Sequence, residues 1–412
     1  MARRDPQSPS DTAISALGGA MADATEEQIA RALELIDSLS DRGAADALIE
    51  RVRPRLRKSR PPHRLRFPRL LLYPLDPLIV SPAEWRDGDA TLPRNAVVRM
   101  AQHVRNRLGA QAETLDAAIA EHTTEDTTLV ERLGRELWPA AARILRHDLD
   151  AIPGLAEEVG RRHQRLLTVI TASLLAEAPA ILGLIAGTAN GLLPPHPDAV
   201  EAIAERFAAE HEEALPGFLA ILLARVPQAC ATLDLMKPGA NTTLIRTARD
   251  QAAETLLRRL DDHNGLEAAI EYGPLPDAGR AARNLVAFLD QFGGMRTWRV
   301  QVQQLRARLA AACQARFIDG IETDILDVVE TASTRLEAPV VLALEASARG
   351  LRLLDEAARS LGGGSIYDEL LKHASETIGA ARCANRLSLA DRSRLIEVLS
   401  GPEAALAILK PA

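Results

Sequence analysis

Apolar residues recur along most of this chain at intervals of three and four, the spacing that lines one face of an α-helix. Ile29, Leu33, Ile36 and Leu39 form the first such stripe, behind Thr25 and Gln28, whose spacing predicts a capping box. A second short helix is expected over 44–52. Thr128 and Glu131 predict another capping box, before a helix over 129–145. Further on, Trp298, Val302, Leu305, Leu309 and Ala312 predict one apolar seam, and Val341, Leu344, Ala348, Leu351, Ala358 and Leu361 a second. Gly293-Gly294 and Gly362-Gly363-Gly364 are the expected breaks around them.

Prolines interrupt this pattern unevenly. Residues 53–93 hold eight of the 24 prolines, which excludes continuous helix and predicts extended or turn-rich chain. The run Leu70-Leu71-Leu72-Tyr73-Pro74-Leu75 is nevertheless too apolar to stay in water. It is expected to lie across a helical body or to form a short edge strand, with Trp85 as its anchor. Pro139, Pro179 and Pro216 each precede an Ala/Leu-rich stretch and stand 40 and 37 residues apart. Proline suits the first turn of a helix, and helix pairs at that period suggest HEAT- or armadillo-type stacking.

Composition supports helix. Aromatic residues make up 3 % of the 412, so the core must be Ala, Leu, Ile and Val, and the first two are the strongest helix formers. The expected fold is all-α: HEAT/armadillo-like helical repeats or a multi-helix bundle, with a Pro-rich basic extended segment near the N-terminus. The expected divisions are a flexible tail at 1–23, a helical pair at 24–52, a Pro-rich basic strap at 53–93, a solenoid-like helical domain at 94–275 and a bundle of long helices at 276–412.

The net charge of −7 argues against a general nucleic-acid coat, but the charge is uneven. Nine Lys/Arg and no acid lie between Arg51 and Arg69. Residues 295–318 carry five arginines and no acid, and residues 319–330 five acids and no base. Folded back at Gly320 as an αα-hairpin, these two segments would face one another with complementary charge.

Leu166–Gly187 is long enough to cross a bilayer. Its central Glu177 costs on the order of 3 kcal/mol there, and Pro179 and many small polar residues weaken it further. A core helix broken near Pro179 is expected, and no integral membrane span. The N-terminus lacks an apolar run after its basic residues, so no secretory signal is expected. Three scattered cysteines, Cys230, Cys313 and Cys383, fit a reducing cytoplasm.

No phosphate-loop, dinucleotide-binding, nucleophile-elbow or zinc-ligand spacing occurs. No catalytic residue, metal ligand or cofactor is assigned. The loops 237–243 and 362–365 read as helix-capping and helix-breaking, and His147-Asp148 and Asp261-Asp262-His263 as helix-end clusters. Binding candidates are Arg53, Arg55, Arg57, Lys58, Arg60, Arg64 and Arg66, whose charges either track an external polyanion or pair with the protein's own acidic surface. Three functions follow as expectations. The first is a cytosolic scaffold with a protein partner, and the second is nucleic-acid or anionic-surface binding through 51–69. The third is an enzyme whose site would gather His147, Asp148, His196, His211 and His263 from a distance.

Overall fold

A computed structural model of the chain describes residues 64–188, 195–226, 228–261, 265–271 and 273–409. The helices expected at 24–52, with Thr25 and Gln28, lie outside the described residues. The rest is all-α: helices dominate, and the strands Ile79–Val80 (β1) and Leu92–Pro93 (β2) form a single two-residue parallel pair. By contact density the described residues fall into two compact units. The first comprises residues 64–261 with Ala287–Gln303, the second residues 265–286 and 304–409.

The first unit opens with α1 (Phe67–Leu72) and a 3₁₀ segment, Tyr73–Leu78. Then come β1, β2 and α2 (Arg94–Leu108), α3 (Ala110–Ile119), α4 (Thr127–His147), α5 (Leu155–Val159) and α6 (Arg161–Gly187). It continues through α7 (Pro197–Glu210), α8 (Leu215–Arg225), α9 (Ala229–Asp234) and α10 (Thr242–Asp261). Within the proline-rich segment, expected as extended or turn-rich chain, Phe67–Leu78 winds into helical turns. Pro68 and Pro74 sit in first turns, where a missing N–H costs nothing. The apolar run is buried: Phe67, Leu70 and Leu75 are fully inaccessible and Leu71 and Leu78 nearly so.

Trp138, rather than Trp85, anchors this run. Its fully buried indole donates to the Leu70 carbonyl across 3.1 Å, whereas Trp85 is half-buried and stands edge-on to His163. Two arginines hold the 3₁₀ carbonyls. Arg225 donates to Tyr73 O at 2.8 Å and lies over the Tyr73 ring, and Arg259 donates to Pro77 O at 2.6 Å. Burial lowers both guanidinium pKa values.

Three local expectations are corrected here. Pro179 does not break α6, and Pro139 lies inside α4. Only Pro216 opens a helix, so the three prolines do not mark equivalent places in a repeat. An interior proline costs ~3 kcal/mol. Leu174, Leu175, Ala178, Ile181 and Leu182 are buried on both sides of Pro179. Each large apolar side chain among them contributes roughly 1.5–3 kcal/mol, which outweighs the loss. The capping box at Thr128 is absent because α4 starts at Thr127, behind Asp126, whose carboxylate turns back to accept from the Thr123 N–H at 3.1 Å. α6 is the one helix among the described residues long and apolar enough to cross a membrane, with 44 % of its most apolar window buried within the protein.

The second unit contains α11 (Gly265–Glu271), most of α12 (Leu275–Asp290) and of α13 (Arg299–Asp319), and a π-helical segment, Gly320–Leu326. It ends with α14 (Asp327–Thr331), α15 (Ala338–Ser360), α16 (Ser365–Gly379), α17 (Leu389–Ser400) and α18 (Pro402–Leu409). Both expected seams are buried except at Trp298 and Leu361, which are partly exposed: Leu305, Leu309, Ala348 and Leu351 are fully inaccessible. The glycine breaks fall between α12 and α13 and between α15 and α16, the latter with Gly362 at φ +97°.

The hairpin at Gly320 does not form. The chain passes straight through as a π-helix into α14, and Gly320 serves close approach instead: a Cβ there would stand 2.6 Å from Leu275 Cδ2. The charges are met locally and by neighbours. Buried Arg316 donates to Asp324 at 2.7 Å and Asp319 at 3.1 Å, Arg308 forks onto Glu267, and Arg382 reaches Glu330.

Candidate functional site

Of the seven basic candidates, Arg53, Arg55, Arg57, Lys58 and Arg60 lie outside the described residues. Arg64 and Arg66 are placed at the start of the first unit. Arg64 makes an antiparallel bridge to Thr123, and Leu65 N–H donates to His122 O at 2.7 Å. This alternation buries Leu65 and Phe67 and leaves Arg64 exposed, with Arg66 partly exposed. Neither guanidinium takes part in an ion pair among the described residues.

Among the described residues each of the candidate histidines meets a different partner. His147 Nδ1 meets Asp148 at 2.8 Å, His196 lies 3.8 Å from Asp198, and His211 Nε2 accepts from Arg146 at 3.0 Å. His263 lies outside the described residues. No group of three or more His, Cys, Asp or Glu side chains among the described residues is arranged to hold a metal ion. Asp148, at the C-terminal end of α4, has a further partner set that the sequence hides. His103 Nε2 lies at 2.9 Å and Arg107 Nε at 3.0 Å, both on α2, some forty positions away. Hydrogen bonds from His147 and His103, with the Arg107 charge, hold the Asp148 carboxyl below its ordinary pKa.

The thiols are shielded. Cys230, Cys313 and Cys383 are buried, and burial pushes Cys230 and Cys313 up to about 12. The polar loops are spoken for as well: Lys237 reaches Asp198 at 3.6 Å, and the Thr242 hydroxyl accepts from Gly239 N–H at 2.6 Å.

An open groove of about 940 Å³ lies in the second unit, between α15, α16, α17 and α18. Its walls follow from local signals. Ser388 and Asp391 form a reciprocal capping box that starts α17. Gly401, at φ +89°, then lets the chain turn from α17 into α18 without the steric cost a Cβ would carry. Leu371, Ile396 and Leu399 give an apolar floor, with Ile408 and the small residues Gly379, Ala380, Ala404 and Ala407 at its side.

The rim is charged. Asp355 is fully buried on α15 and is met by Arg352 and Arg359, each at 2.8 Å; Arg359 also donates to Asp368 on α16 at 2.6 Å. Bonds to Asp368 and Asp355 raise the Arg359 pKa. Lys372, Asp368 and Glu376 complete the rim. Deeper in, Ser400 Oγ donates to Leu371 O at 3.3 Å, and the Ser375 and Ser400 hydroxyls lie 2.6 Å apart. Those hydroxyls are engaged with each other, so the groove offers apolar contact and charge at its edge. Sequence reading missed it because its lining comes from four helices, and no residue in it is unusual for its own helix.

No family model matches the chain, and neither a curated protein nor a solved structure is significantly similar to it.

Proposed function

We propose that this chain is a non-catalytic cytosolic scaffold that receives an amphipathic helix of a protein partner in the groove of the second unit. The observation that carries this reading is the groove's chemistry: an open apolar floor flanked by small residues and bordered by fixed charges. Helix-in-groove recognition needs apolar contact for side chains at i, i+3, i+4 and i+7, and a polar edge to fix orientation. Gly379, Ala380 and Ala404 permit close approach of a partner backbone.

The experiment is a site-specific one. A photo-crosslinking residue is placed at Lys372, on the rim, and in parallel at Glu121 on the other unit. Crosslinked partner is expected from position 372 alone, and Ala407→Arg, which fills the groove from an exposed position, is expected to abolish it. Partner recovered equally with Ala407→Arg, or equally from both positions, would remove the reading.

A further inference from the structure

The exposed face of α4, in the first unit, forms a surface of its own. Its buried side is Val130, Gly134, Leu137, Trp138, Ala141, Ala142 and Leu145. At 3.6 residues per turn, Arg132, Arg135, Arg143 and Arg146 fall on the opposite side, and all four are exposed. Among the described residues Arg132, Arg135 and Arg143 make no ion pair, and Arg146 donates to His211 alone. The acids of this helix, Glu131 and Glu136, stand at spacings that allow pairing with Arg135 and Arg132, yet neither pair forms. The four arginines span about 21 Å of helix.

The bridge from Arg64 to Thr123 brings the end of the basic segment to the N-terminal side of α4, four residues before the helix begins. Arg64 and the α4 arginines, more than sixty positions apart, therefore belong to one unit. In a chain of net charge −7 a cluster of unpaired guanidinium groups is a local feature, not the overflow of a basic protein.

We infer that Arg64, Arg132, Arg135, Arg143 and Arg146 form a binding surface for the phosphate backbone of double-helical nucleic acid. Guanidinium groups recognise phosphate through forked donors, and a row of them neutralises phosphates and releases counterions. Two observations select a duplex. The nearby aromatics Phe67 and Trp138 are fully buried and the Tyr73 ring is covered by Arg225, so among the described residues no platform is offered there on which unpaired bases can stack. The exposed large apolar side chains all lie elsewhere, none on α4 or on residues 64–78, so the surface lacks the apolar anchors that a bilayer interface takes up. Recognition through the backbone alone is independent of sequence.

The test uses the full chain and a labelled random-sequence 24-base-pair duplex, followed by fluorescence anisotropy across a salt series. Wild type is expected to bind at low salt. Arg132→Glu with Arg135→Glu and Arg143→Glu is expected to lose at least about tenfold in affinity, and to reduce the slope of log K against log salt by about 3, one per lost phosphate contact. A control with the same change in charge, Arg246→Glu with Arg283→Glu and Arg335→Glu, is expected to bind close to wild type. Circular dichroism checks the fold, and the corresponding glutamine triple replaces the reversal if that variant unfolds. Absence of duplex binding by wild type at low salt overturns the inference. So does equal loss in the two triples, or binding to phosphatidylserine vesicles in place of the duplex.

Discussion

The indole N–H of Trp138 reaches 68 positions back along the chain to the carbonyl of Leu70, 3.1 Å away in a fully buried setting. That bond fastens the proline-rich segment to α4, and Arg225 and Arg259 secure the carbonyls that follow.

Trp138→Phe leaves the Leu70 carbonyl buried without a donor and opens a small void. An unsatisfied buried group costs about 1–3 kcal/mol, so urea unfolding is expected to register a loss of about 2 kcal/mol. A loss within error of zero would mean that the segment is held by burial alone.

Gly279 and Gly350 mark where α12 crosses α15. A Cβ on Gly279 would stand 2.6 Å from Gly350 O, and one on Gly350 would overlap the Leu275 backbone. Gly350→Ala is expected to destabilise by at least the ~1–3 kcal/mol typical of overpacking, because backbone cannot rotate aside as a side chain can. Gly183→Ala is the matched control. It lies mid-helix in α6 with no atom near the new Cβ, and is expected to stabilise by ~1 kcal/mol or slightly less. Thermal unfolding of the two variants should move in opposite directions.

Asp148 gives the fold an acid sensitivity. Its folded pKa is depressed below 3.8 by His147 and His103, with Arg107 adding to the effect. A depressed carboxyl contributes stability above its unfolded pKa and loses it as pH falls through the folded value. Unfolding free energies of wild type and Asp148→Asn should therefore differ near neutral pH and converge below pH 3.8. Parallel curves throughout that range would show that the cluster carries no linkage.

The three cysteines are buried, and those of known shift are driven away from thiolate. Since thiolate is the reactive form, a chromogenic disulfide reagent should leave the native protein unmodified and label three thiols once urea is added. Fast labelling of any one under native conditions would place that cysteine outside the core.

Helix content was legible because periodicity and propensity act locally. The seams at Val302–Ala312 and Val341–Ala358 are buried as their spacing implies. Local reading failed where two signals competed. Pro179 proposed a break that the surrounding buried stripe overrode, and Gly320 proposed a turn where close packing by Leu275 required a missing side chain. The groove was invisible for a different reason: Leu371, Leu399 and Ile408 are ordinary apolar residues until three helix junctions set them around one space. The α4 arginines were readable only as scattered charges, since pairing with Glu131 or Glu136 was equally open to them.

By itself, the sequence determined that the chain coils into helices, which faces of them turn inward, and that an arginine-rich, proline-rich stretch sits near its beginning. Tertiary structure decided which helices meet, that Trp138 receives the proline-rich run, and which charges remain unpaired. The reason is one of range: helical hydrogen bonds join residues four apart, whereas burial and ion pairing depend on neighbours that only the folded chain brings close.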